Sequence, residues 1–114
     1  MALVRDSAWI HMLRDGRVDE FNEKAKKTAP DLANADLRLV DLRFADLRNA
    51  NLAGAYLRNA DLRGVDLAEA NLDGASLHDA RISGTYFPSQ LPADEIRMSV
   101  MQGTRMRQVG SRAA

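Results

Sequence analysis

Cysteine is missing from all 114 residues, which excludes disulfides and thiolate metal sites while leaving the compartment open. Net charge is missing too: 16 Lys and Arg offset 16 Asp and Glu, so bulk charge points neither to a nucleic-acid binder nor to an acidic imitation of one. Histidine is confined to His11 and His78, with no HxxxH pair, no Cys partner and no Gly-rich phosphate loop. The sequence therefore assigns no catalytic residue, no metal ligand and no cofactor. No apolar run approaches membrane-spanning length, and the first ten residues set Arg5 and Asp6 among short apolar pieces, unlike a signal-peptide core. The expected location is the cytoplasm, without a membrane span.

What is present is a leucine-centred unit repeated every five residues. Its centres are Leu32, Leu37, Leu42, Leu47, Leu52, Leu57, Leu62, Leu67, Leu72 and Leu77, then Ile82 and Phe87. Two residues before each centre stands a small or β-branched residue such as Ala35, Val40, Ala45, Ala50 or Thr85, with Pro30 opening the series. A period of five suits neither common element: it turns a helical side chain by about 140° per step and reverses the face of a strand. The centres converge if each unit forms one side of a square, so that twenty residues complete a coil. Leu32 then stacks on Leu52 and Leu72, Leu37 on Leu57 and Leu77, Leu42 on Leu62 and Ile82, and Leu47 on Leu67 and Phe87. The expected product is a solenoid of parallel bridges with coils about 4.8 Å apart.

The units Ala35-Asp36-Leu37, Ala50-Asn51-Leu52, Ala60-Asp61-Leu62 and Ala70-Asn71-Leu72 resemble the pentapeptide-repeat family, whose pattern is A-[DN]-L-x-x. The resemblance implies an all-β solenoid with helical ends, a right-handed quadrilateral β-helix of about three coils. Its handedness is implied by the family alone. The expected organisation is an N-terminal helical cap over 1–29, the repeat over 30–89, a C-terminal helix within 90–108 and a disordered tail over 109–114.

Both ends of such a column need cover, because an open coil presents unpaired backbone groups and bare apolar core. Trp9, Leu13, Val18 and Phe21 are assigned to the N-terminal cap; the other reading of Trp9 is a partner anchor, since Trp is enriched at hot spots. At the other end, Leu91-Pro92 precedes a helix expected from Ala93 to about Arg107, with acids Asp94 and Glu95 at its start. Met98, Met101 and Met106 point away from the side shared by Ile96 and Val100, which suits enclosure on more than one side.

Outward positions carry the candidate interaction residues. Asp36 and Arg38, Asp41 and Arg43, Asp46 and Arg48, and Asp61 and Arg63 flank inward leucines and point outward together. Arg38, Arg43, Arg58 and Arg63 are candidate partner contacts, and the surface carboxylates are expected to be solvated and ionised. Leu39 and Phe44 break the polar rule: either the N-terminal helix folds over them, which the reading favours, or they form a docking patch. The function expected is a non-enzymatic structural or protein-interaction module that binds a protein partner or itself, with the Met-bearing helix as one contact. The family implies an alternative, imitation of duplex DNA and protection of gyrase from quinolones. That alternative calls for a long acidic column, which the outward arginines do not suit.

Overall fold

The computed structural model describes residues 3–110. Each repeat unit lies against the unit twenty residues further on, joined by a bridge one residue wide. Parallel bridges join Asp31 to Asn51 and Asn51 to Asn71, Asp36 to Tyr56 and Tyr56 to Ser76, Asp41 to Asp61 and Asp61 to Arg81, and Asp66 to Tyr86. Central amides donate upward to the next coil: Leu52 to the Asn71 carbonyl at 2.8 Å, Leu57 to Ser76 at 2.9 Å and Leu62 to Arg81 at 2.8 Å. Ten leucines, from Leu32 to Leu77, fill the interior and are almost wholly buried, with the alanines and valines two residues before them beside them. Ile82 and Phe87 close the series only partly buried.

The expectation of an all-β solenoid, a right-handed quadrilateral β-helix, is corrected. Among the described residues no β-strand or sheet forms; the bridges are isolated, and the regular elements are three short helices. The cause lies in the five-residue period. Two residues of nearly every unit are spent on a turn, so one residue per unit reaches bridging geometry, where a strand needs several in succession. Many of these turns close on a left-handed residue, with Asn34, Asn59 and Asp79 at φ of 58–59° alongside the corner glycines.

The turns ending at Phe44, Asn49 and Glu69 depart from this scheme, and the first of them marks a break in the ladder. Gly64 and Gly84 turn with φ of 73° and 70°, whereas Phe44, one coil earlier, is not left-handed. A bulky residue resists that region. Among the described residues the Asp46 to Asp66 bridge is missing. On the opposite edge of this side, where no coil precedes, the side chain of Asn22 makes the pair of bonds that Val4 makes at Asn34 and Asp36. Asn22 donates from Nδ2 to the Phe44 carbonyl at 2.9 Å and accepts the Asp46 amide on Oδ1 at 2.7 Å.

Two helices cover the start of the stack. Helix α1 (Ala8–Arg14) is capped by Ser7, whose Oγ accepts from the Ile10 amide at 3.2 Å. Helix α2 (Val18–Ala25) follows after a turn at Gly16. Trp9 and Phe21 meet edge to face with ring centroids 5.2 Å apart, and Lys24 lies 4.5 Å over the indole. Trp9, Ile10, Met12, Leu13 and Phe21 are buried and Val18 is partly so, all in the one core. Before α1 the chain is extended: Val4 donates to the Asn34 carbonyl at 2.7 Å and accepts from the Asp36 amide at 2.8 Å.

Helix α3 (Ala93–Gln102) stops at Gly103, whose φ is 76°, short of the expected Arg107. Gly103 packs against the His78 ring. The chain then runs back across the last coil without helix, and Met106 is 1% exposed. Val109 donates to the Gln90 carbonyl at 2.8 Å, so the segment expected to be disordered from 109 is tied down at its first residue. Residues 111–114 of that expected tail lie outside the described residues.

Replacing Leu62, fully buried between coils, by Asp places an unpaired charge in the core at a cost of several kcal/mol. Leu62→Asp is expected to abolish the cooperative thermal transition. Arg63→Ala, at an exposed ion pair, is expected to change stability by less than about 1 kcal/mol. A folded Leu62→Asp variant would contradict the packing described.

Candidate interaction surface

The repeat fixes where each Asp and Arg can reach. With a leucine turned inward between them, the two polar side chains stand side by side. Each Asp first accepts the amide two residues on, as Asp61 does from Arg63 at 3.2 Å. The same Arg then grips the carboxylate with two nitrogens: Arg38 on Asp36 at 2.8 and 2.7 Å, Arg43 on Asp41 at 3.0 and 2.9 Å, Arg63 on Asp61 at 2.9 and 2.6 Å. Arg48 holds Asp46 likewise. The Arg63 hydrogen bonds, aided by the nearby charge of Arg43, bring the Asp61 carboxyl down to about 2. Of the candidate arginines, Arg38, Arg43 and Arg63 are thus engaged within the chain. Arg58 has no carboxylate partner among the described residues.

Asp36 departs from the expectation that these carboxylates are solvated. It is 4% exposed, and Arg5 and Arg14 each approach it to 3.4 Å in addition to Arg38. The Arg38 hydrogen bonds outweigh desolvation and hold its carboxyl down to about 2. Arg14 also donates to the Asp36 carbonyl at 2.8 Å, so this cluster ties α1 to the first coil. Tyr56 and Ser76 occupy the equivalent positions above, which leaves no second carboxylate directly stacked on Asp36.

Leu39 and Phe44 are exposed by 76% and 73%, so the helices do not fold over them. The reason is geometric: α1 and α2 spend their large apolar residues on the core, and what faces Phe44 is the amide side chain of Asn22. The two side chains instead flank a cleft of about 280 Å³ whose walls include Leu13 and Val18 of the helical pair and Val40 of the first coil. Leu39 has φ of 66°, a conformation that costs a residue with a Cβ about 1 kcal/mol or more. Its amide remains in the ladder, donating to the Arg58 carbonyl at 2.9 Å, and this bond helps to hold the strained backbone.

Met98, Met101 and Met106, grouped by the sequence, are separated by the structure. Met98 and Met101 are exposed on α3, while Met106 is core and unavailable to a partner. His11 and His78 are not brought together; each lies beside an aspartate, Asp6 and Asp79 respectively. Among the described residues no group of His, Cys, Asp and Glu could hold a metal ion, and no helix is long and apolar enough to cross a membrane. Sequence reasoning missed the corner contact of Asn22, for which nothing in the repeat is a signal. It also missed the burial of Asp36, for which Arg5 and Arg14, neither of them in the repeat, supply the partners.

The family model described as "Pentapeptide repeats" matches in eight copies, over residues 31–54 and 50–87, which together span half of the chain. No curated protein and no solved structure matches.

Because a left-handed leucine is strained, Leu39→Gly is expected to raise stability by about 1 kcal/mol in urea unfolding. An equal loss of stability would show that the Leu39 side chain packs usefully within this chain.

Proposed function

The chain belongs to the pentapeptide-repeat family, and from that premise we propose that it is a non-enzymatic interaction module that seats a partner protein on Leu39 and Phe44. The observation carrying this reading is the pair of large apolar side chains, both about three-quarters exposed, on either side of a cleft whose walls combine Leu13, Val18 and Val40 with Arg14 and Asp41. Water on such a pair is unfavourable, and removing one fully exposed side chain of this size is worth roughly 1.5 to 3 kcal/mol. The backbone beneath is stiff, because Leu39 sits in the amide ladder and Asn22 clamps the Phe44 corner. A partner therefore meets a surface that is already shaped and loses little to ordering it. Met98 and Met101 offer an additional contact at the far end, for a protein partner or for a second copy.

Imitation of duplex DNA draws little support. The molecule measures 34 × 30 × 30 Å, which is not a long column. The aspartates that would supply negative charge along its sides are neutralised by Arg38, Arg43, Arg48 and Arg63.

The test is capture from lysate by the immobilised protein, quantified against Leu39→Glu/Phe44→Glu. A partner retained by the wild type and lost at least tenfold with the double variant, at unchanged thermal stability, is the expected result. Retention of the same proteins by both would remove Leu39 and Phe44 from the reading. Protection of gyrase supercoiling from a quinolone by the purified protein would favour the DNA-imitating alternative instead.

A further inference from the structure

The far end of the stack is finished in two different ways. On two of its four sides the C-terminal segment supplies acceptors to the last coil. The Leu72 amide donates to Gln108 Oε1 at 2.9 Å and the Gly74 amide to the Met106 carbonyl at 2.6 Å. The Leu77 amide donates to Ser99 Oγ at 2.8 Å and the Asp79 amide to the Val100 carbonyl at 2.9 Å. Met106 also donates its own amide to the Ala75 carbonyl at 2.9 Å and buries its side chain. The chain thus contains a working example of what this edge accepts: an extended segment that gives a carbonyl to a corner amide and an apolar side chain to the core.

The other two sides have no such cover. Ile82, Gly84 and Phe87 stand one coil above Leu62, Gly64 and Leu67, whose amides donate to Arg81, Ser83 and Tyr86. Among the described residues no acceptor meets the amides of Ile82, Gly84 or Phe87. Beside them opens an apolar cleft of about 460 Å³, walled by Ile82, Thr85 and Phe87 on one side and by Ile96, Val100 and Met101 of α3 on the other. Ile82, Phe87, Ile96 and Val100 remain partly buried, in contrast to Leu62 and Leu67 directly below, which are completely so.

Two arginines stand at this opening or next to a residue that lines it. Arg97 lines the cleft, and its carboxylate partner among the described residues, Asp94, is a highly exposed one that holds it weakly. Arg81, next to Ile82, has no carboxylate partner among the described residues. The free amides and the guanidiniums are donors and call for acceptors, while the carbonyls of Ala80 and Thr85, one coil above the accepting carbonyls of Ala60 and Val65, can take an amide in return.

We propose that this open half binds an extended segment of a partner protein that carries an apolar side chain flanked by carboxylates. The segment gives its carbonyls to the free edge amides and its apolar side chain to the cleft, as Met106 does on the neighbouring sides, and its acids meet Arg81 and Arg97. This is addition to an exposed backbone edge, in which main-chain bonds supply affinity and the pocket supplies selectivity. It deepens the interaction reading above and depends on that reading being right in kind, though not on Leu39 and Phe44.

The experiment titrates the full ¹⁵N-labelled chain with an acetylated, amidated hexapeptide, Thr-Glu-Met-Glu-Gln-Val, which is residues 104–109 with both arginines exchanged for glutamate. Saturable shifts at the amides of Ile82, Gly84 and Phe87 are expected, with a dissociation constant below about 1 mM. Binding is expected to be at least tenfold weaker for the arginine-bearing peptide and to be lost in Met101→Glu, a substitution at an exposed position that spares the fold. Absence of shifts at those three amides at several millimolar peptide overturns the proposal. So do shifts centred on Leu72 and Gly74, which signify displacement of the chain's own segment. Shifts at Ile82 and Gly84 that depend on protein concentration without peptide assign the edge to a second copy and also overturn it. Shifts confined to Leu39 and Phe44 remove this site while leaving the interaction reading standing, and the capture assay tests that reading separately.

Discussion

Everything in this molecule depends on one coupling: a leucine side chain turned inward and, from the same residue, an amide turned along the axis to the carbonyl of the next coil. Neither half suffices alone. The ladder bonds are individually modest, worth about 1 kcal/mol net each, and the bridges are too isolated to behave as strands. The leucines are what hold successive coils close enough for those bonds, and the bonds fix the register that keeps each leucine above its counterpart twenty residues away. Because every unit repeats the same arrangement, loss of one centre disturbs the coils on both of its faces.

That coupling explains which parts of the fold were legible in the sequence. The inward positions follow from the period alone, since any residue type recurring every five positions must meet itself if the chain turns by quarters. The expectation of an all-β solenoid failed for the same reason: a turn in nearly every unit leaves one bridging residue at a time, and strands cannot develop. The ends were harder to read because they do not repeat. Gly103 lies at a position where glycine closes a helix, yet nothing in the sequence said that the chain beyond it would lie back across the last coil and bury Met106. Leu39 and Phe44 were visible as breaks in the polar pattern. Whether the helices cover them depended on how α1 and α2 divide their apolar residues, which a single sequence does not specify.

The two ends of the stack differ in a way that bears on function. At the start, helices, the Val4 segment and the Asp36 cluster seal the first coil, and the exposed pair Leu39 and Phe44 lies to the side of that seal. At the finish, Gln108, Met106, Ser99 and Val100 complete half of the edge and leave the other half open beside α3. Much of the charge between the ends is spent on itself, since Arg38, Arg43, Arg48 and Arg63 each chelate the Asp two residues before. What remains at the two ends is apolar surface and unpaired backbone.

Amide hydrogen exchange on the intact chain tests this account most directly, because it reads the ladder bond by bond. The amides of Leu52, Leu57 and Leu62, each bonded to the coil above, are expected to exchange only through global unfolding, while those of Ile82, Gly84 and Phe87 exchange at close to the rate of free backbone. Rapid exchange at Leu52, Leu57 and Leu62, on the same timescale as the open edge, would contradict the claim that leucine stacking and the twenty-residue ladder hold the molecule together.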